Sequence, residues 1–115
     1  MKKLLLFAVM LFGLTAFSQT QEELYKKAYA NAETTTSTTM EKLVGFLKIK
    51  DDKAVQQIKE VLFEKNLYLA QYPDFSMERK TILAEKVEGV FKQVLTEEQF
   101  KMLKSEEEYY KKILY

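Results

Sequence analysis

The stretch that decides the fold is VLTEEQF, Val94–Phe100, which interrupts an apolar helical pattern with a threonine, two glutamates and a glutamine. Thr96 and Gln99 match the capping-box pattern, in which the threonine hydroxyl accepts from the Gln99 backbone N–H and the Gln99 side chain returns to the Thr96 N–H. The two glutamates would then lie in the first turn of a new helix, where the helix dipole favours anions. We therefore predict a corner at Thr96, with a continuous helix as the competing interpretation.

The residues on either side of this corner support it. Leu95 precedes the predicted cap and Phe100 lies four residues beyond it, and these are the positions of a hydrophobic staple. Apolar residues recur at helical spacing in the segment before the corner, which Ser76 or Asp74 can cap. Gly89 falls inside this helix, where glycine costs roughly 1 kcal/mol relative to alanine. It either permits close approach of a neighbouring helix or a kink, or is simply tolerated.

The strongest helical pattern runs from Ala54 to Tyr72 and ends at Pro73. A proline pushes the residue before it out of the helical region. The segment YPDFS therefore predicts a turn that places the two central helices antiparallel. Asp51 or Asp52 can cap the start of this pattern.

The N-terminal third is less regular. Residues 19–39 predict a short helix followed by a linker, because the run Thr34–Thr39 is rich in β-branched hydroxyl residues that disfavour helices. A glycosylated linker is the alternative for this run. Thr38 or Thr39 would cap a further helix that opens a helical domain, 40–115. No alternating strand pattern is present. The predicted fold is all-α, a small bent helical hairpin or bundle of three to four helices.

The first 18 residues have the organisation of a secretory signal peptide. Lys2 and Lys3 precede an apolar run, and Ala16 and Ser18 have the spacing that signal peptidase requires, so we predict cleavage between Ser18 and Gln19. The run is shorter than the roughly 20 residues that span a bilayer, which disfavours an uncleaved anchor. We expect a periplasmic or secreted protein with no stable membrane insertion after cleavage.

Composition restricts the chemistry. The chain has no His and no Cys, and its 18 Lys and Arg nearly balance its 17 Asp and Glu. The commonest general base, thiol nucleophiles and thiolate metal sites are therefore absent, and no excess positive charge favours nucleic acid. We predict no catalytic residues, no metal and no cofactor. Glu106–Glu108 could attract Ca²⁺, but consecutive helix positions diverge, which favours a solvated face. Asp51 and Asp52 are better explained as caps than as an acid–base pair.

The chain contains seven tyrosines, and four of them are candidates for protein contacts. Tyr68 and Tyr72 lie one turn apart on the central helix, whereas Tyr109 and Tyr110 lie near the C-terminus. Aromatic groups with a polar tip suit an adaptable contact surface. The alternative, favoured by their helical spacing, is that they cover the core of a small bundle.

The segment LTEEQ, Leu95–Gln99, resembles the LTxxQ motif of the Spy and CpxP group of small, secreted, all-helical bacterial proteins. That group usually carries two such motifs. The position expected for the first is LKIKDDKAVQQI, which keeps Leu47 and Ile49 but has Lys50 and Ala54 where Thr and Gln are expected.

The resemblance implies a bent helical hairpin, often paired as a homodimer, that acts as an ATP-independent chaperone or as an envelope-stress factor. We therefore expect a non-enzymatic protein whose partners are other proteins, either unfolded clients or an envelope protein. The alternative is a regulatory or inhibitory module that docks on a single envelope partner. An enzyme would need a carboxylate pair or a Lys–Tyr constellation in a pocket.

Overall fold

Five α-helices and no strands occur in the part of the chain that the computed structural model describes, residues 20–74 and 76–115. They are α1 Gln21–Leu47, α2 Asp52–Gln71, α3 Met77–Val94, α4 Glu97–Ser105 and α5 Glu107–Leu114. The predicted all-α class is confirmed. The predicted signal peptide, residues 1–18, and its cleavage position before Gln19 lie outside the described residues.

The first three helices pack side by side in alternating directions. Between α2 and α3, Glu64 forms an ion pair with Lys86, and Tyr68 lines a groove together with Ile82. A later residue of α2 thus lies beside an earlier residue of α3, as in antiparallel helices. This confirms that the two central helices are antiparallel. α2 ends at Gln71 and the chain turns at Pro73 before Ser76 caps α3 by accepting from the Arg79 N–H at 3.3 Å.

The predicted break at Thr34–Thr39 is wrong. α1 continues through this run without interruption, so neither Thr38 nor Thr39 is a helix cap, and the linker predicted within residues 19–39 is helical. The helix begins instead at Gln21, and Thr20 caps it in a capping box with Glu23. It also crosses the predicted boundary between residues 39 and 40.

A continuous buried stripe overrides the low helix propensity of the threonine run. The buried residues of α1 recur every three or four positions, namely Ala28, Ala32, Thr36, Met40, Leu43 and Leu47. Two other threonines satisfy their hydroxyls inside the helix, Thr34 on the Ala30 carbonyl at 3.1 Å and Thr38 on the Thr34 carbonyl at 3.0 Å. Each threonine lowers helix stability by roughly 0.7 kcal/mol relative to alanine. The packing of the buried stripe against α2 outweighs the combined cost of the threonines.

The hydrophobic core occupies one half of the bundle. It is centred on fully buried side chains that come from four helices: Leu43, Ile58, Leu62, Val87, Phe91 and Leu103. The other half, near the turn at Pro73, buries chiefly Ala28, Ala32 and Thr36 of α1, and from the described residues of α3 it buries none before Ala84. The half with the corners is therefore well packed, and the half with the Pro73 turn is not.

The predicted C-terminal helix is divided in two. The backbone leaves helical geometry at Glu106, with φ −97° and ψ 73°, so α4 ends at Ser105 and α5 begins at Glu107. The bundle therefore has more helices than the three to four predicted. The Ser105 hydroxyl beside this break donates to the Met102 carbonyl at 2.6 Å and does not cap α5.

Gly89 faces open space on α3. A Cβ built at Gly89 would meet nothing within 4 Å, which excludes close approach of another helix as its role. The residue is exposed and helical. It is therefore a tolerated glycine in a helix interior.

We predict that Gly89→Ala stabilises the protein by roughly 0.5–1 kcal/mol, because alanine loses less backbone entropy on folding and meets no obstacle. Urea unfolding followed by circular dichroism measures the change. Gly45→Ala on α1, where a Cβ also meets nothing within 4 Å, serves as the matched variant and is expected to behave alike. A loss of stability in both would contradict this account.

Candidate functional site

The corner predicted at Thr96 is present, with both halves of the capping box. The Thr96 hydroxyl accepts from the Gln99 N–H at 3.1 Å, and the Thr96 N–H donates to Gln99 Oε1 at 3.0 Å. Leu95 and Thr96 have extended backbone geometry, so the alternative of a continuous helix is wrong. Leu95 is buried in the core and Phe100 packs against the same cluster.

Gln99 also makes a contact that the sequence did not reveal. Its Nε2 donates to the backbone carbonyl of Leu47 at 3.2 Å, at the C-terminus of α1. There Lys48 adopts the left-handed conformation, with φ 54°, and the chain turns into α2, which Asp51 caps by accepting from the Lys53 N–H at 3.1 Å. One glutamine side chain therefore joins the α1–α2 corner to the α3–α4 corner.

Two of the four candidate contact tyrosines belong to the core instead. Tyr110 is buried, and its ring lies 6.2 Å from both Phe91 and Phe100. Tyr109 is partly buried and meets Phe46 edge to face at 6.0 Å. For these residues the structure supports the core interpretation, because α5 turns their rings towards the bundle.

The hydroxyls of these two tyrosines have different surroundings. Tyr110 donates to Glu88 Oε2 at 2.6 Å, and its burial, together with the hydrogen bond to and negative charge of Glu88, raises the pKa of Tyr110. Burial also raises the pKa of Tyr109. Within the described residues, the Tyr109 hydroxyl is the only buried side-chain polar atom without a hydrogen-bond partner.

Lys65 of α2 is a buried lysine that sequence reasoning missed. It is only 5% exposed, and its Nζ donates to the Ile113 carbonyl at 2.5 Å. No carboxylate of the described residues lies within 4.0 Å of it, and burial lowers its pKa to about 8. Its position on the stripe that contains Ile58 and Leu62 was the available signal, because a lysine three residues after Leu62 must point towards the core.

Tyr68 and Tyr72, the other two candidates, lie in the loosely packed half of the bundle. Their rings stack with centroids 6.4 Å apart. We call the surface around them the apolar end and define it by its exposed apolar side chains: Leu24, Tyr25, Tyr68, Tyr72, Met77 and Ile82, between 43% and 66% exposed. The apolar end combines residues of α1, α2 and α3.

Two open grooves run through the apolar end. One, of about 470 Å³, lies between α1 and α2 and includes Leu24, Tyr25 and Tyr72. The other, of about 170 Å³, lies between α2 and α3 and is lined by Tyr68, Arg79, Ile82 and Leu83. Because Tyr68 and Tyr72 stack, the two grooves meet at one pair of rings. The two grooves are suited to bind apolar side chains of another molecule.

The remaining polar candidates lie at the surface or at a helix start. Glu106, Glu107 and Glu108 are exposed, and among residues 20–74 and 76–115 no group of three or more His, Cys, Asp or Glu is placed to hold a metal ion. Asp51 caps α2, and Asp52 lies in its first turn. Within the same residues, no helix combines the length and the apolar character needed to cross a bilayer.

No protein-family model, no curated protein and no solved structure matches this chain.

We predict that Gln99→Glu lowers the free energy of unfolding by about 1–3 kcal/mol, because it leaves the Leu47 carbonyl without its donor. A glutamate can still complete a capping box, as Glu23 does with Thr20 at the start of α1. The loss would therefore report the link between the two corners rather than the cap. Urea unfolding measures it.

Glu23→Gln is the matched control. It makes the reverse exchange in a capping box that lies at an exposed helix start. We expect a change of less than about 0.5 kcal/mol there. Equal losses at both positions would show that the contact between Gln99 and Leu47 contributes nothing.

We also predict that the stability of the protein rises with pH through a window set by Lys65. Its folded pKa of about 8 lies below its ordinary value of 10.5, so the unfolded chain binds more protons between these values. The free energy of unfolding should therefore increase by about 2 kcal/mol between pH 7.5 and 9.5. Lys65→Met should remove that increase, as measured by urea unfolding at both pH values. The same rise in the variant would assign it to other groups.

Proposed function

We propose that this protein is a secreted or periplasmic, non-enzymatic helical protein that binds other proteins through its apolar end. The observation that carries the proposal is the exposure of Tyr68, Tyr72 and Ile82 side by side over two open grooves. Adjacent exposed apolar side chains with polar residues around them are typical of sites of association.

The composition of the apolar end favours partners that present apolar side chains. Tyrosine rings offer large contact areas at a small entropic cost and keep their hydroxyls in water. The ion pair between Glu22 and Lys26 borders the α1–α2 groove, so the surroundings carry both signs of charge. Such a surface suits the apolar segments of unfolded or partly folded proteins better than a strongly charged ligand.

The free energy available from burying a few apolar side chains indicates weak and reversible binding. Burying one large apolar side chain contributes about 1.5–3 kcal/mol, whereas micromolar affinity requires about 8 kcal/mol. Two shallow grooves would accept a few such side chains, and ordering a flexible partner offsets part of the gain. The proposed activity is therefore that of an ATP-independent chaperone with transient contacts.

Membership of the Spy and CpxP group is part of this proposal. Its support is the placement of Leu95, Thr96 and Gln99 at a capped corner between two helices. The degraded first segment also forms a corner, where Leu47 and Ile49 are buried. The two corners meet through Gln99, so the segments that carry the resemblance lie together.

We predict that the protein suppresses the light scattering of a chemically unfolded, aggregating client at a several-fold molar excess. The double variant Tyr68→Gln and Tyr72→Gln should lose most of this suppression, because it removes the stacked rings between the two grooves. Both positions are partly exposed, so circular dichroism should show an unchanged helical content.

Tyr115→Gln is the matched control, because Tyr115 is equally exposed, at 47%, but lies outside the apolar end. It should suppress scattering as the unmodified protein does. Absence of suppression by the unmodified protein would reject the chaperone activity. In that case, one stable complex recovered from an envelope fraction would support the alternative of a module dedicated to a single partner.

A further inference from the structure

The C-terminal helix α5 covers part of the core. Tyr110, Ile113 and Leu114 are buried on its inner face. Tyr110 packs near Phe91 of α3 and Phe100 of α4. Removing α5 would therefore uncover aromatic side chains from these helices, together with its own apolar face.

The contact between α5 and the bundle contains two polar groups in unfavourable surroundings. The Lys65 ammonium has three N–H donors and one hydrogen-bond acceptor, the Ile113 carbonyl of α5. The buried Tyr109 hydroxyl of α5 has no partner. Burial lowers the pKa of Lys65 even though it makes this bond, so its charged form is unfavourable there, and a buried hydroxyl without a partner is costly as well. Both groups therefore weaken the packing of α5 on the bundle.

The N-terminus of α5 and its short length contribute little to its stability. Each of the other four described helices has a side-chain hydrogen bond at its N-cap, whereas α5 has none. It is eight residues long, too short to be stable alone. The non-helical backbone at Glu106 separates it from α4, so α5 can move without unwinding its neighbour.

Several contacts keep α5 in place. Tyr110, Ile113 and Leu114 are buried, and Tyr109 meets Phe46 edge to face. Two hydrogen bonds join α5 to the bundle, from Tyr110 to Glu88 at 2.6 Å and from Lys65 to the Ile113 carbonyl at 2.5 Å. The desolvated charge of Lys65 and the unpaired Tyr109 hydroxyl oppose these contacts, which favours local opening of α5.

We propose that α5 is a strap that undocks from the bundle as a unit, while α1 to α4 stay folded, because its seat encloses an underbonded lysine and an unpaired tyrosine hydroxyl. Undocking returns both groups to water and uncovers the aromatic surface of α3 and α4. Undocking of α5 does not depend on whether the apolar end binds other proteins.

Residue-resolved amide hydrogen exchange on the full chain tests the strap. The amides of Tyr110 to Leu114 should share one opening equilibrium, and they should exchange at least tenfold faster than those of Ile58 to Leu62 in α2. Tyr109→Phe removes the unpaired hydroxyl and keeps the ring. Lys65→Met removes a desolvated charge, and this gain exceeds the loss of its hydrogen bond to the Ile113 carbonyl, because burial lowers the pKa of Lys65 in spite of that bond. Each should slow exchange in α5 by about tenfold at constant pH, with less effect on α2.

Lys59→Met is the control for Lys65→Met, since Lys59 is an exposed lysine on the same helix. It should leave exchange in α5 unchanged. Equal exchange rates in α5 and α2 would overturn the proposal, because α5 would then open only when the whole protein unfolds. A gradient that rises residue by residue towards Tyr115 would also overturn it, as fraying of the terminus. If Lys65→Met does not fold, Tyr109→Phe decides by the same criteria.

Discussion

The side-chain amide of Gln99 is the contact on which the arrangement of the helices depends. Its oxygen accepts from the Thr96 N–H and so ends α3 and starts α4, while its nitrogen donates to the Leu47 carbonyl, where α1 ends. An amide can do both because it carries an acceptor and two donors. The contact fixes where α4 begins relative to the α1–α2 pair, and hence where α5 lies on the core.

Around this contact the apolar side chains are unevenly distributed. The half of the bundle that contains the two corners holds the large buried side chains, and the half near Pro73 leaves its tyrosines and Ile82 in solvent. A well-packed half supplies the stability that allows the other half to keep apolar surface exposed. The proposed binding role and the rigid corner are thus two consequences of one packing pattern.

Local signals in the sequence identified the starts of α2, α3 and α4. Asp51, Ser76 and Thr96 each accept from a backbone N–H two or three residues further on, so the pattern that identifies them is complete within a short segment. The same kind of reasoning failed at Thr34–Thr39. There a local preference against helix was outweighed by Thr36, which is buried against α2 and accepts from Asn66, 30 residues away, at 2.9 Å.

By itself, the sequence determined the all-α class, the turn at Pro73 and the corner at Thr96, because each depends on backbone geometry and hydrogen bonds within a few residues. Only the tertiary structure decided that α1 is continuous, that Lys65 lies beneath α5 and that Gln99 reaches Leu47. In the last two contacts the partners are separated in the sequence by 48 positions (Lys65 and Ile113) and 52 positions (Leu47 and Gln99). Helix packing brings such partners together, and no local preference encodes which distant group a side chain will meet.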